Sequence, residues 1–295
     1  MKTTHRLALG LTAGLTACLL SACGGASDEA PTIDSSKIDE ELRAMLPADV
    51  REKGVLEVAS DVPYPPFEFY DTDGKTVIGL DADLGKAIGD LLGLQLNFNA
   101  VTFDTMIPSL KAGKYDLALT GMSDTPERQA EVTFVDYLTT GGSFMVTNGS
   151  SAQPAELADL CGLTVGAQSG TSIVTFLETQ VAPECPASAP MDLSQFTGQD
   201  DLVTALRSAR VEVAVIPSPS AGYLVETTDD EFEIPFNLDV GLLGIAFPRD
   251  DDQLASAFQA ALQKLMDDGT YATILESYGV TENSLDEATI DAGTS

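Results

Sequence analysis

Two hydrophobic periods alternate along this chain. Short apolar runs at residues 55–59, 117–120, 163–167 and 211–216 predict strands. Leu94, Leu96, Phe98 and Ala100 alternate with polar residues, the period of a half-buried strand. Between these, apolar residues recur every three or four positions. Residues 81–92 place Leu84, Ile88 and Leu91/Leu92 on one helical face, and residues 200–207 place Leu202, Ala205 and Leu206 inward. Residues 251–266 do the same with Leu254, Phe258, Leu262 and Leu265/Met266, and shorter helices are predicted over 103–111 and 171–181. A second set of elements begins around Met145. Strands alternating with helices predict an α/β protein with mainly parallel sheets, whose ligands sit beyond the strand carboxyl ends. Roughly 245 residues after Pro47 exceed the common size of a single core, so two lobes are expected.

The N-terminal fifty residues read differently. Lys2, His5 and Arg6 make a basic head, residues 7–20 are apolar and uncharged, and LSAC follows at 20–23. The apolar run is shorter than the ~20 residues a membrane-spanning helix needs. The order of head, core and small residues resembles a bacterial lipoprotein signal, which implies cleavage before Cys23 and lipid on its new N-terminus. An ordinary secretory signal with an incidental cysteine is the alternative. Residues 24–35 are small, polar and interrupted by Pro31, as a tether would be. Ser36 is expected to cap a short helix with Ile38, Leu42 and Met45 on its inner face, ended by Pro47. The expected location is extracytoplasmic, anchored to the cell membrane through Cys23.

Charge and composition exclude several functions. The formal net charge is −31, and residues 1–22 carry two of the few cations and no acid. A body this acidic repels nucleic acid, which binds through Lys and Arg. The single histidine, His5, lies in the leader, so the rest of the chain has no Ser-His-Asp or Cys-His apparatus and no His-ligated metal. No cofactor is expected. Cys161 and Cys185 remain after the leader and lipid site take Cys18 and Cys23. In an oxidising compartment they read as one disulfide worth about 3 kcal/mol, with two buried thiols as the alternative and zinc short of ligands.

Seven segments in order carry a family resemblance. They are GVLEVASDVPYPPFEF (54–69), GLDADL (79–84), FDTMIPSL (103–110), GKYD (113–116), TPER (125–128), VGAQSGT (165–171) and AFP (246–248). Together they resemble the polar-amino-acid-binding extracellular solute receptors of ABC importers, and the Cys161–Cys185 spacing is similar to a subset of them. The resemblance implies a two-lobed type II periplasmic-binding-protein fold with two crossovers. Lobe one would comprise 54–142 plus 239–295, lobe two 143–238, with residues 23–53 forming anchor, tether and short helix. Hinge glycines are expected near 140–142 and 239–241.

The resemblance also implies site roles. Arg128 would fork onto the ligand α-carboxylate. Ser123, Thr120 and Gly121 would add hydrogen bonds, and Gly170, Thr171 and Ser172 would offer N–H groups at a helix start from the other lobe. Tyr64 and Phe103 would sandwich the ligand stem. Asp61 would meet its distal end, favouring a cationic or amide side chain over an acidic one. Asp81 would lie near the pocket or brace its turn, and Glu68 is assigned a structural or exposed place. At VIPSPSAGY (215–223), Pro217 stands where the family carries an Asp for the ligand ammonium. The implied function is capture of an amino acid or related small carboxylate by a monomer and its delivery to an ABC permease. A dehydratase-like cleft enzyme and a sensory binding lobe are the alternatives.

Overall fold

The computed structural model describes residues 33–238, 241–249 and 251–294. Cys23, the leader, most of the tether and the second crossover at 239–240 lie outside the described residues. The strands are β1 (Val55–Ser60), β2 (Phe69–Tyr70), β3 (Val77–Ile78), β4 (Gln95–Ala100), β5 (Leu117–Asp124), β6 (Val132–Thr140), β7 (Gly142–Thr147), β8 (Thr164–Gln168), β9 (Asp192–Phe196), β10 (Val213–Pro217), β11 (Phe232–Asn237), β12 (Gly241–Pro248) and β13 (Thr289–Ile290). One sheet runs β13-β6-β12-β5-β1-β4 and another β11-β7-β10-β8-β9.

The sheets are mixed, a correction to the mainly parallel expectation. β1 pairs in parallel with β4 and β5, and β8 with β9 and β10. The other pairs in these sheets are antiparallel: β12 with β5 and β6, β13 with β6, and β7 with β10 and β11. The reason is connectivity. Only Gly141 separates β6 from β7, so the chain passes directly from one sheet to the other without the helix that a parallel crossover requires.

Helix Leu80–Leu92 follows the predicted face, burying Leu84, Ile88, Leu91 and Leu92. Helix Asp252–Asp267 buries Leu254, Phe258, Leu262 and Leu265 against the same core. In β10, Val213 and Val215 join one core cluster while Ala214 and Ile216 join another, as in a sheet covered on both faces. The residues over 171–181 form an α-helical turn, Ser172–Phe176, that widens into a π-helix, Leu177–Val181.

The N-terminal helix starts later than expected. Asp39, not Ser36, caps helix Glu40–Met45, accepting from the N–H groups of Glu41 (3.0 Å) and Leu42 (3.2 Å). Ser36 lies in a 3₁₀ turn capped by Asp34. Leu46 takes the buried place and Met45 is exposed, because Pro47 turns the chain into a second helix, Ala48–Lys53. Arg43 fastens this segment by donating to the carbonyls of Leu92 (2.8 Å) and Gly93 (2.7 Å). Cys161 and Cys185 form a disulfide beside the Leu160 and Val181 core. Among the described residues no helix is long and apolar enough to cross a membrane.

Candidate functional site

The floor of the site is the middle of β5. Gly121 has φ +56°, and a Cβ there would lie 2.9 Å from Phe67 and 3.0 Å from Tyr64, so any side chain is excluded. Its N–H donates to Asp81 Oδ2 (2.9 Å) and to the Tyr137 hydroxyl (3.2 Å), which itself donates to Asp81 Oδ2 (3.0 Å). The Thr120 hydroxyl accepts the Asp61 N–H at 2.9 Å and donates to Glu68. Glu68 and Asp81 are fully buried. Glu68 is thus structural, as one of its expected alternatives has it, and not exposed. Asp81 reaches β5 beneath the floor and makes no side-chain cap for its helix.

Two buried carboxyls side by side cannot both ionise cheaply. Burial, then the charge of Asp81, pushes Glu68 well above the carboxylate range. Burial pushes Asp81 up to about 7, against the pull of the Tyr137 and Gly121 donors. Both shifts disfavour the ionised forms, so burial works against charge on the floor.

Arg128 rises beside the floor on the short helix Pro126–Gln129, whose cap, Thr125, accepts the Arg128 N–H at 3.4 Å. Its guanidinium lies 5.4 Å from the Phe103 ring centroid. Nη1 donates to the Ser123 carbonyl (2.8 Å) and Nη2 to the Gly170 carbonyl (3.0 Å), which belongs to the loop after β8. Desolvation lowers its pKa to about 10, partly offset by Tyr64, Asp124 and Glu127, so it stays a cation at pH 7. The Ser172 hydroxyl donates to the Ser123 hydroxyl at 3.2 Å. Thr171 caps its own helix, accepting from Val174 N–H, and donates to the Gln168 carbonyl at 2.7 Å. Gly170 offers Arg128 a carbonyl, whereas N–H donation was expected of this loop.

The structure thus brings Ser123, Arg128, Phe103, Gly170 and Ser172 together, and Asp61, Thr120 and Gly121 together beside them. Tyr64 packs on Phe67, centroids 5.1 Å apart, and under Gly121. Pro217 ends β10 opposite Gly142 and precedes helix Ser218–Thr227.

A cavity of about 300 Å³ opens at the other end, lined by Asp61, Val62, Pro63, Thr102, Thr197, Asp200 and Asp201 among others. Gln168, from the second sheet, donates to the Asp61 carboxylate and to the Thr197 carbonyl (3.2 Å). Asp61 is pushed up to about 6, first by burial, with Asp200 and Asp104 raising it further and Gln168 opposing. Sequence reasoning missed Gln168, Asp200 and Asp201. Gln168 stood inside the VGAQSGT segment, while Asp200 reads as an ordinary helix-start acid until the fold turns it toward Asp61.

A cleft between two sheets, with the Arg128 cation and a group of carboxylates on its walls, is the arrangement of a small-molecule site in a two-lobed protein. Residues 56–281 match the model for bacterial extracellular solute-binding proteins, family 3, and the chain belongs to that family. It is 32% identical over 254 residues to the arginine-binding protein ArgT of Corynebacterium glutamicum, covering 85% of this chain and 83% of that protein. An ancestral arginine-binding protein bound to arginine superposes with TM-score 0.70 at 31% identity, covering 76% of this chain and 98% of the other. An ancestral amino acid-binding protein, described as a precursor of cyclohexadienyl dehydratase, gives TM-score 0.71 at 28% identity, covering 78% and 97%. These solved structures are type II periplasmic binding proteins, and the chain shares that fold.

Proposed function

We propose that this protein captures an amino acid with a cationic side chain and delivers it to an ABC permease, without chemical turnover. The observation that carries the reading is the acidic cavity, where Asp61 from one side meets Asp200 and Asp201 from the other. Opposed carboxylates around a small cavity disfavour closure until a cation lies between them. Arg128 takes the α-carboxylate at the opposite end, with Ser123, Thr120, Gly121, Gly170, Thr171 and Ser172 around it, and Tyr64 and Phe103 flank the stem. The arginine-binding relatives support this choice of ligand class.

Lobe one is assigned residues 54–142 plus 239–295 and lobe two residues 143–238. The protein works as a monomer, held at the outer face of the cell membrane by lipid on Cys23 after removal of residues 1–22. The site residues hold no histidine and the cleft offers a binding constellation, which favours the receptor over the dehydratase-like alternative.

Calorimetry with arginine, lysine, histidine, citrulline, glutamine and glutamate tests the reading. Arginine or lysine is expected to bind more tightly than citrulline, which matches arginine in shape but lacks the charge. Tighter binding of glutamate or citrulline would overturn it. An Nα-substituted arginine belongs in the panel, because Pro217 leaves the ligand ammonium without the acid the family carries there.

A further inference from the structure

The chain ends its described course against the turn that carries Arg128. β13 pairs with β6, Thr289 opposite Asp136 and Ile290 opposite Val135. Asp291 then accepts the Phe134 N–H (2.7 Å) and donates its own N–H to the Phe134 carbonyl (3.1 Å). The Thr289 hydroxyl (2.8 Å) and Ala292 N–H (3.2 Å) donate to Asp136 Oδ2. The Gly293 N–H donates to Asp124 Oδ2 at 2.7 Å. Asp124 and Asp136 are both fully buried.

The Gln129 side-chain amide closes the circuit, donating to Asp124 Oδ1 and to the Gly293 carbonyl, each at 2.8 Å. Arg249 adds an ion pair to Asp291 (3.5 Å) and donates to the Gln129 carbonyl. These bonds converge on the neighbours of Arg128. Gln129 follows it in the chain, and Asp124 follows Ser123, whose carbonyl holds Nη1. A Cβ on Gly293 would sit 2.2 Å from the Asp124 carbonyl oxygen, so the approach tolerates only glycine. The segment lies beyond the 56–281 span matched by the family model.

A one-turn helix of four residues has no stability of its own. Forked recognition of a carboxylate nevertheless demands a fixed guanidinium. We infer that residues 289–293 form a strap that positions Arg128 for its ligand, acting through Gln129 and Asp124. The inference rests on the reading of Arg128 as the carboxylate clamp. The strap residues are positioning residues, since they reach the ligand only through Arg128.

The test uses the full chain with Gly293→Val and Gln129→Ala, each titrated with arginine and with agmatine, its analogue lacking the carboxylate. Gln129→Ala removes the bridge without adding bulk, so it serves should Gly293→Val fold poorly. Arginine affinity is expected to fall roughly ten-fold in both variants, the scale of one charge-assisted contact, while agmatine affinity changes by less than about two-fold. Equal losses for both ligands would mean general loosening and would overturn the inference. So would unchanged arginine affinity in variants that merely melt at lower temperature. Arg128→Ala separates the two claims. If it abolishes arginine binding while both strap variants bind normally, the clamp stands and the strap falls. If Arg128→Ala binds arginine normally, both fall.

Discussion

The two walls of the cleft are built by different physics. The β5 wall rests on a buried polar layer in which Thr120 donates to Glu68, and Tyr137 and the Gly121 N–H donate to Asp81, while Glu68 Oε2 and Asp81 Oδ1 stay buried without a partner. Such a layer fixes backbone position, because moving any member strands a buried polar group. The facing wall is made of the 168–172 turn and the start of helix Gln199–Arg207, and its lobe is stapled by the Cys161–Cys185 disulfide. Across the cleft, bonds among the described residues include Gln168 to Asp61, Arg128 to Gly170, Ser172 to Ser123 and Ser220 to Pro65. The β5 wall is the more densely bonded of the two, and a handful of contacts tie the facing wall to it.

The sharpest break in this comparison is Arg128→Ala, which removes the cation from the β5 side and its bond to the facing wall. Calorimetry should record a loss of roughly 2–5 kcal/mol in ligand binding with the fold intact. Replacing Cys161 and Cys185 with serine should act on the other lobe instead. Denaturant unfolding should show about 3 kcal/mol less stability for a loop of 24 residues, with ligand affinity nearly unchanged at low denaturant. Equal damage to affinity would mean that the staple also shapes the site.

Gln168→Ala tests whether the facing wall contributes through a single side chain. A hydrogen bond to a charged group is worth about 1.5–3 kcal/mol, so cationic-ligand affinity should fall by up to that amount. The smallest expected effect is pH-dependent. Asp61 is raised to about 6, and a bound cation favours its charged form. Binding therefore releases a proton below pH 6, and affinity should rise with pH up to about 6 and then level. At pH 5 the loss should approach about ten-fold, and Asp61→Asn should flatten the profile. Stability of the free protein has the opposite sign. Asp61 at about 6 and Asp81 and Asp136 at about 7 all lie above the unfolded value of 3.8. Their contribution is fully present below that value and is lost as pH rises through 6–7.

Much of the first wall was legible. Arg128 stands in a quoted segment, Thr120 and Gly121 between two of them, and helix Leu80–Leu92 keeps its predicted face because a 3.6-residue period is a local property. The sheet pairing was not legible, since Gly141 sends the chain into another sheet and the distant strand β12 lies antiparallel between β5 and β6. Nor was the cap of the first helix, where Asp39 takes the place expected of Ser36, which is itself held in a turn by Asp34.

By itself the sequence determined the helical faces, the acidic body, the absence of histidine after His5 and the family resemblance. These depend on composition, local period and spacing, which need no distant partner. Only the tertiary structure decided that Glu68 and Asp81 share one buried layer, that Asp200 and Asp201 face Asp61, and that residues 289–293 return to Asp124. These join residues from about a dozen to well over a hundred positions apart. A carboxylate's charge and hydrogen bonding follow from what the fold brings beside it, which no local pattern encodes.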